Sequence, residues 1–332
     1  MSRYLEFPPE TRYVQHAPFS WLAFAGCGIF ILAVAFPLSL KAIRSISRLK
    51  VRRSSRFRFP WWGWVGIAMG VLAWILAWTR FSWFERFQPH TFTPLWFSLI
   101  LFINALVYRR DGHCMMVDRP GIFLLLFPAS AAFWWFFEYL NRFVQNWYYA
   151  GVLFSPSEYF WYATLCYSTV LPAVLGMREL ILGFSWFEKG FGNFFPIEFP
   201  RPTGLAWVVL VASGAGLVFI GVWPDYLFPL VWVSPVLIIV SLQTLLGEHH
   251  VLQDITHGDW RMAVSSALAA LFCGFFWEMW NYYSLAKWGY AIPFVERYKI
   301  FEMPILGYAG YLPFGLECAV IGMMLANGGS DS

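Results

Sequence analysis

A Glu-x-x-Asn motif occurs twice in apolar stretches of the chain and contains the residues best suited to acid–base chemistry. Its copies are Glu138 with Asn141 and Glu278 with Asn281. Residues three apart share one face of a helix, so each carboxyl should lie beside its amide. A carboxyl group within an apolar run is costly to bury and marks a functional site by default. In its protonated form it can serve as a general acid.

Two further carboxyls lie in the last apolar run, so the second half of the chain is the more acidic one. Glu302 and Glu317 align with uncharged residues of the first half. Prolines and glycines interrupt the run between Pro304 and Gly315. Broken helices are tolerated in membranes where they line a cavity, so we predict a cavity wall here. The predicted catalytic set is Glu278, Asn281, Glu302, Glu317, Glu138 and Asn141.

A histidine-rich loop offers a second type of chemistry. His250, Asp254 and His257 have i, i+4, i+7 spacing, which places them on one face if the segment is α-helical. Imidazole and carboxylate ligands suit zinc or non-haem iron. The pattern predicts a divalent metal cofactor in this loop, with an ordinary solvated loop as the alternative.

The composition indicates that the elements carrying these residues lie in lipid. Of 332 residues, 59% are hydrophobic and 13% are charged, whereas a soluble domain has about 25% charged residues. So few charges argue against a soluble globule, a disordered chain, a secreted disulfide scaffold and a nucleic-acid-binding domain. The prediction is an integral membrane protein whose partner is the lipid bilayer, with its oligomeric state left open.

Apolar runs of about 20 residues indicate transmembrane helices, because the hydrocarbon core of a bilayer is about 30 Å thick. The runs show no alternation of period two, which favours an all-α protein over a β-barrel. We predict nine spans, at 19–40, 59–79, 91–108, 120–140, 158–178, 203–223, 226–246, 262–285 and 302–326.

A basic segment follows the first span and sets the predicted orientation. It runs from Lys41 to Arg58 and contains no acidic residue. Lys and Arg accumulate in cytoplasmic loops. The sequence therefore predicts an outside N-terminus and a cytoplasmic C-terminus, in a bacterial inner membrane.

The chain resembles itself at a shift of about 140 residues. A shift of 141 matches Trp147 with Trp288 and Tyr149 with Tyr290, and a shift of 140 superposes the Glu-x-x-Asn pairs. We therefore predict one N-terminal helix followed by two parallel repeats of four helices. The predicted organisation is an N-terminal segment with span one and the basic loop (1–58), repeat 1 (59–180), an amphipathic linker (181–202), repeat 2 (203–326) and a C-terminal tail (327–332).

Part of the second repeat resembles the duplicated integral-membrane lycopene cyclases. The resemblance consists of Trp288-x-Tyr290 followed by Pro313 and Glu317. Directly after the proline the chain has Phe314-Gly315, where that family has paired acidic residues. The resemblance implies proton-initiated chemistry on an isoprenoid.

Three classes of function remain open at this point. Aromatic residues, 21% of the chain, beside buried carboxyls favour an enzyme acting on an apolar lipid or isoprenoid by carboxylate acid–base chemistry. Two pseudo-symmetric halves are also typical of a proton-linked or lipid transporter. The third class is a structural or assembly subunit of a membrane complex.

Overall fold

The computed structural model describes residues 4–47 and 57–328, and most of these are helical. The middle of the basic segment, from Arg48 to Arg56, lies outside the described residues, as does the end of the C-terminal tail. The helices are α1 (Trp21–Ser47), α2 (Trp61–Trp78), α3 (Phe92–Asp111), α4 (Met115–Asp118), α5 (Pro120–Val144), α6 (Pro156–Tyr167), α7 (Val170–Leu182), α8 (Ser185–Phe191), α9 (Pro202–Phe219), α10 (Pro224–Leu227), α11 (Leu230–Leu246), α12 (Arg261–Tyr283) and α13 (Tyr311–Gly328). Three 3-10 helices cover Ser82–His90, Gln253–His257 and Ile305–Gly310.

Eight segments of the described chain are long and apolar enough to cross a membrane, which supports a polytopic membrane protein. They are Trp21–Ser47, Trp61–Trp78, Phe92–Asp111, Pro120–Val144, Pro156–Leu182, Pro202–Phe219, Arg261–Tyr283 and Ile305–Ala326. The ninth predicted span, 226–246, differs from the prediction. It consists of the end of α10 and the 17-residue helix α11. Pro229 lies between them and has no N–H to continue the helical ladder.

The predicted spans 158–178 and 302–326 are also interrupted. The first consists of α6 and α7, with a break at Ser168 and Thr169. The second becomes helical only from Ile305. Glu302 was predicted to begin that span, and it lies instead in the turn between two short strands, β3 (Lys299–Ile300) and β4 (Met303–Pro304). Pro304 favours extended backbone at the residue before it, which opposes a helix there.

A second antiparallel ladder, absent from the all-α prediction, joins the two halves of the chain. Strand β1 (Trp147–Ala150) pairs with β2 (Lys287–Tyr290). The opposed residues are Trp147 and Tyr290, Tyr148 and Gly289, Tyr149 and Trp288, and Ala150 and Lys287. Each strand follows a helix that carries a Glu-x-x-Asn motif, α5 or α12. The ladder therefore holds the ends of these two helices on the same side of the bundle.

Aromatic side chains fill the core between the two halves. Trp96, Phe137 and Phe314 are fully buried. The ring of Trp96 lies 4.8 Å from that of Trp277, and the ring of Phe314 lies 5.6 Å from that of Phe137. These contacts link helices α3, α5, α12 and α13, so burial of aromatic area holds the halves together.

The N-terminal segment, residues 4–20, lies across both halves on the ladder side. The backbone N–H of Tyr13 donates to the side chain of Gln145 over 2.8 Å, and that of Ser20 donates to the carbonyl of Phe294 over 2.9 Å. Helix α1 follows and has no buried residue. It packs against α8 and the 3-10 helix at 305–310, so it adds to the outside of the bundle.

Candidate functional site

The two Asn side chains of the motifs fix the strands that follow them. Asn141 donates from Nδ2 to the carbonyl of Trp147 over 2.9 Å, and Asn281 donates to the carbonyl of Trp288 over 2.8 Å. Their Oδ1 atoms accept backbone N–H groups from Asn146 and Trp288, each over 2.9 Å. Both amides are buried. They position the start of each strand relative to the carboxyl one helical turn earlier.

The Glu138 carboxyl is buried at 4% exposure among three donors. Its Oε1 accepts from the indole N–H groups of Trp134 (3.1 Å) and Trp147 (2.9 Å) and from the hydroxyl of Tyr149 (2.6 Å). The Tyr149 oxygen lies 2.7 Å from the Tyr167 oxygen. One carboxylate oxygen therefore organises helix α5, strand β1 and helix α6.

The Glu278 carboxyl is fully buried and has a different set of donors. Its Oε1 accepts from the hydroxyls of Tyr290 (2.6 Å) and Tyr311 (2.8 Å). The indole of Trp288 donates to the Tyr290 oxygen over 2.8 Å instead of to the carboxyl. Within residues 4–47 and 57–328, Oε2 of Glu278 has no hydrogen-bond partner. Glu278 thus contacts only phenols and keeps one oxygen free of donors.

A cavity of about 1340 Å³, including the part open to the outside, lies between the halves beside the ladder. More than half of its lining residues are Phe, Tyr or Trp. Trp134 and Tyr149 contribute from the first half, and Trp277, Tyr290 and Tyr311 from the second. Because three of these side chains hydrogen-bond to Glu138 or Glu278, both carboxyls lie directly behind the aromatic wall.

Lys287 is the one charged residue of the cavity lining in the described part of the chain. Its Nζ donates to Oε1 of Glu302 over 2.6 Å, and both side chains are partly exposed. Glu302, predicted as a catalytic residue, is therefore held in an ion pair at the edge of the cavity. Such a half-exposed pair contributes little to stability, and it leaves the cavity without net charge.

Glu317 lies on α13, away from the other predicted catalytic residues. Its side chain is 1% exposed, and neither carboxyl oxygen has a hydrogen-bond partner in the part of the chain that the structure covers. It does not line the cavity. The predicted wall between Glu302 and Glu317 contributes Met303, Gly307, Gly310 and Tyr311 to the cavity lining.

The predicted metal ligands His250, Asp254 and His257 are not brought together. Only Gln253–His257 is helical, and it is a 3-10 helix, so the α-helical spacing that would align the three does not occur. Asp254 lies 3.3 Å from His249 rather than between the other two histidines. Among the described residues, no group of three or more His, Cys, Asp or Glu side chains could hold a metal ion.

Tyr311 is a site residue that the sequence analysis missed. The internal repeat matches Tyr167 with Tyr308, but the Tyr308 hydroxyl donates to the carbonyl of Ile300 instead. Gly274 supplies a signal that could have found Tyr311. It lies one turn before Glu278 on the same face, and a Cβ there would come within 2.5 Å of the Tyr311 ring.

No protein-family model, curated protein or solved structure matches the chain. Its class is therefore defined by its own architecture. It is a polytopic helical membrane protein in which an aromatic cavity separates two buried Glu-x-x-Asn sites.

Proposed function

We propose that this membrane protein is an enzyme that acts on an apolar lipid of the isoprenoid type by proton transfer from Glu278. The observation that carries the proposal is the position of Tyr290 and Tyr311. Both side chains line the aromatic cavity, and both hydrogen-bond to Glu278 behind its wall. A proton held by the carboxyl can therefore reach the cavity through a phenol oxygen.

The cavity lining supports an apolar, unsaturated substrate. Its single cation, Lys287, is neutralised by Glu302, so the cavity does not attract a free anion. Aromatic faces such as those of Trp134, Trp232 and Trp277 attract positive charge through the ring quadrupole. A carbocation formed on the substrate would be stabilised there and kept from water.

The proposed step uses Glu278 in its protonated form. Glu278 passes its proton to the Tyr311 oxygen while the Tyr311 hydroxyl proton moves to one carbon of a C=C bond. The π electrons form the new C–H bond, and the neighbouring carbon becomes cationic. Loss of a proton from an adjacent carbon returns it to the carboxylate by the same route. The net change is an isomerisation or ring closure that needs no other reactant.

We further propose that the two halves are parallel repeats related by an axis along the membrane normal. The register of the β1–β2 ladder supports this. Tyr148 pairs with Gly289, its own equivalent at a shift of 141 residues, and the pairs on either side of it interchange under the same shift. A two-fold axis through the Tyr148–Gly289 pair would produce this register.

We propose that the ladder side faces away from the cytoplasm, with the N-terminus outside, in a bacterial inner membrane. The N-terminal segment lies on the ladder side. The Lys41 ammonium group, near the start of the basic segment, donates to the carbonyl of Asn193 near α8. Basic loops are retained in the cytoplasm, which supports this orientation.

The test compares the lipid extracts of cells that produce wild-type protein, Glu278→Gln or Tyr311→Phe. General acid catalysis contributes about 10²–10⁴-fold to a rate, so Glu278→Gln should reduce the altered lipid by a factor in that range. Tyr311→Phe should cause a smaller loss, because Tyr290 still links Glu278 to the cavity. The measurement is chromatography with mass spectrometry of all apolar lipids.

Tyr308→Phe is the matched control, because its hydroxyl bonds to a backbone carbonyl away from Glu278. It should leave the lipid profile of the wild type unchanged. A profile that depends on the protein but not on Glu278 would contradict the proposal. An unchanged set of lipids combined with Glu278-dependent flux in liposomes would favour a transporter, and tolerance of Glu278→Gln in both assays would favour an assembly subunit.

A further inference from the structure

One phenol of the cavity wall has a buried hydroxyl without a partner. Tyr159, on α6, is 7% exposed and lines the cavity. Its hydroxyl makes no hydrogen bond to any residue in the described ranges. The other buried side-chain polar atoms that lack partners in those ranges belong to residues that do not line the cavity. Tyr159 is therefore the place where a bound molecule would satisfy an unpaired group.

The neighbouring phenols have no proton left to donate. Tyr149 donates its hydroxyl proton to Glu138 over 2.6 Å. In the 2.7 Å contact between Tyr149 and Tyr167, Tyr167 must then be the donor. The chain of bonds runs from Tyr167 through Tyr149 to the carboxylate, and the Tyr159 proton stays available.

Packing holds the Tyr159 ring in place. Its centroid lies 5.2 Å from the ring of Phe7 in the N-terminal segment, 6.0 Å from that of Tyr149 and 6.2 Å from that of Trp135. A donor fixed in this way loses little freedom when a ligand binds.

The second half has no equivalent donor. At a shift of 141 residues Tyr159 aligns with Ile300, which has no hydrogen-bonding side chain. The cavity thus has a wall from the second half that is linked to Glu278 and a wall from the first half that offers a free phenol. This difference fits a ligand with two unlike parts.

We propose that the Tyr159 hydroxyl donates a hydrogen bond to an oxygen atom of the ligand, which is therefore an oxygenated isoprenoid and not a pure hydrocarbon. A hydroxyl, carbonyl or ether oxygen satisfies the requirement, because the phenol needs only a lone pair. The inference rests on the proposed function in one respect, that the cavity is the ligand site. It names the substrate class that the acid at Glu278 acts on.

The experiment uses the full-length protein in lipid nanodiscs and three polyenes of one skeleton: retinol, retinyl methyl ether and axerophthene, the hydrocarbon without oxygen. Binding is followed by energy transfer from protein tryptophans to the polyene. Tyr159→Phe should weaken retinol and the ether by about tenfold, the effect of losing one hydrogen bond, and should leave axerophthene unchanged. Each ligand is compared with itself, so its partitioning into the nanodisc lipid cancels.

The matched control is Tyr139→Phe, whose side chain is 61% exposed on α5 and should affect none of the three ligands. Equal weakening of all three polyenes by Tyr159→Phe would show a packing role and overturn the inference. Unchanged binding of the alcohol and the ether, or no binding of any polyene to the wild type, would also overturn it. Oxygen-selective binding combined with an unchanged lipid profile in Glu278→Gln would sustain the inference and reject the proposed enzyme.

Discussion

At the end of α5, Glu138 accepts hydrogen bonds from two indoles and one phenol, whereas at the end of α12, Glu278 accepts from two phenols only. An indole N–H can only donate, but a phenol oxygen both donates and accepts. Glu138 is therefore enclosed mainly by groups that cannot relay a proton, and Glu278 by groups that can.

The backbone around the two carboxyls is nevertheless arranged in the same way. In both sites an Asn three residues later binds the carbonyl of the first aromatic residue of a strand, and the two strands pair with each other. The shared framework sets where the carboxyls lie. The contrast teaches that the chemistry depends on which side chains the framework brings to the carboxyl.

The largest effect should come from replacing the two unlike carboxyls Glu138 and Glu317 by leucine. Glu138→Leu strands three buried donors, each at a cost of about 1–3 kcal/mol, so the free energy of unfolding should fall by several kcal/mol. Glu317→Leu removes a buried carboxyl without partners, and should raise stability by about 1–3 kcal/mol. Thermal unfolding in detergent, followed by tryptophan fluorescence, measures both.

Glu138→Gln serves as the control for the first variant, because its amide oxygen can still accept from the indoles. It should lose less stability than Glu138→Leu. Equal destabilisation by Glu138→Leu and Glu317→Leu would mean that hydrogen bonding to Glu138 does not distinguish the two buried carboxyls.

A second comparison concerns the last helix of each half. A Cβ at Gly315 would lie 2.0 Å from the backbone oxygen of Ser266 on α12, which cannot move independently of its helix. Gly315→Ala should therefore cost about 1–3 kcal/mol. A Cβ at Gly176 would meet the Asn104 side chain at 3.5 Å, an ordinary contact, so Gly176→Ala should have little effect. A lower melting temperature for Gly176→Ala than for Gly315→Ala would reverse this comparison of helix packing.

The smallest effect should come from the histidine loop of the second half. Burial, together with neighbouring His249, lowers the pKa of His250 below its usual value. Folding thus favours the neutral ring, whose Nδ1 accepts the N–H of Leu252. The stabilisation is present above a pH of about 6.5 and is lost as the pH falls further. His250→Gln should remove that loss, which is about 1 kcal/mol or less, the net worth of one hydrogen bond.

Melting temperatures at two pH values, above and below this range, check the effect. The exposed His249→Gln serves as a partial control and should change the pH dependence less than His250→Gln. A pH dependence that is the same in wild type and His250→Gln would assign it to other groups.

The sequence predicted the helical membrane architecture and the burial of Glu138 and Glu278, because hydropathy and helical spacing are local properties. It did not predict the β1–β2 ladder. Aromatic residues such as Tyr148 and Tyr149 favour strands, but a strand also needs a partner, and here the partner lies in the other half of the chain. Tyr311 was missed for a similar reason, because only the crossing of α12 and α13 brings it to Glu278.

The errors have local causes of a different kind. Glu302 was assigned to a helix because the run that contains it is apolar, although Pro304 favours an extended backbone before it. The metal prediction assumed α-helical geometry for His250, Asp254 and His257, and a 3-10 helix turns by a different angle per residue. In both segments the composition was informative and the backbone conformation was not.

The ladder register described above has an evolutionary consequence under the proposed repeat. A strand that opposes its own equivalent about a two-fold axis is self-complementary, so two separate chains with one such unit each would associate as a symmetric dimer. In that dimer every substitution occurs twice. Joining the units in one polypeptide removes this constraint, so that an acid with phenol partners can be kept at Glu278 while the matching position becomes a fixed support at Glu138.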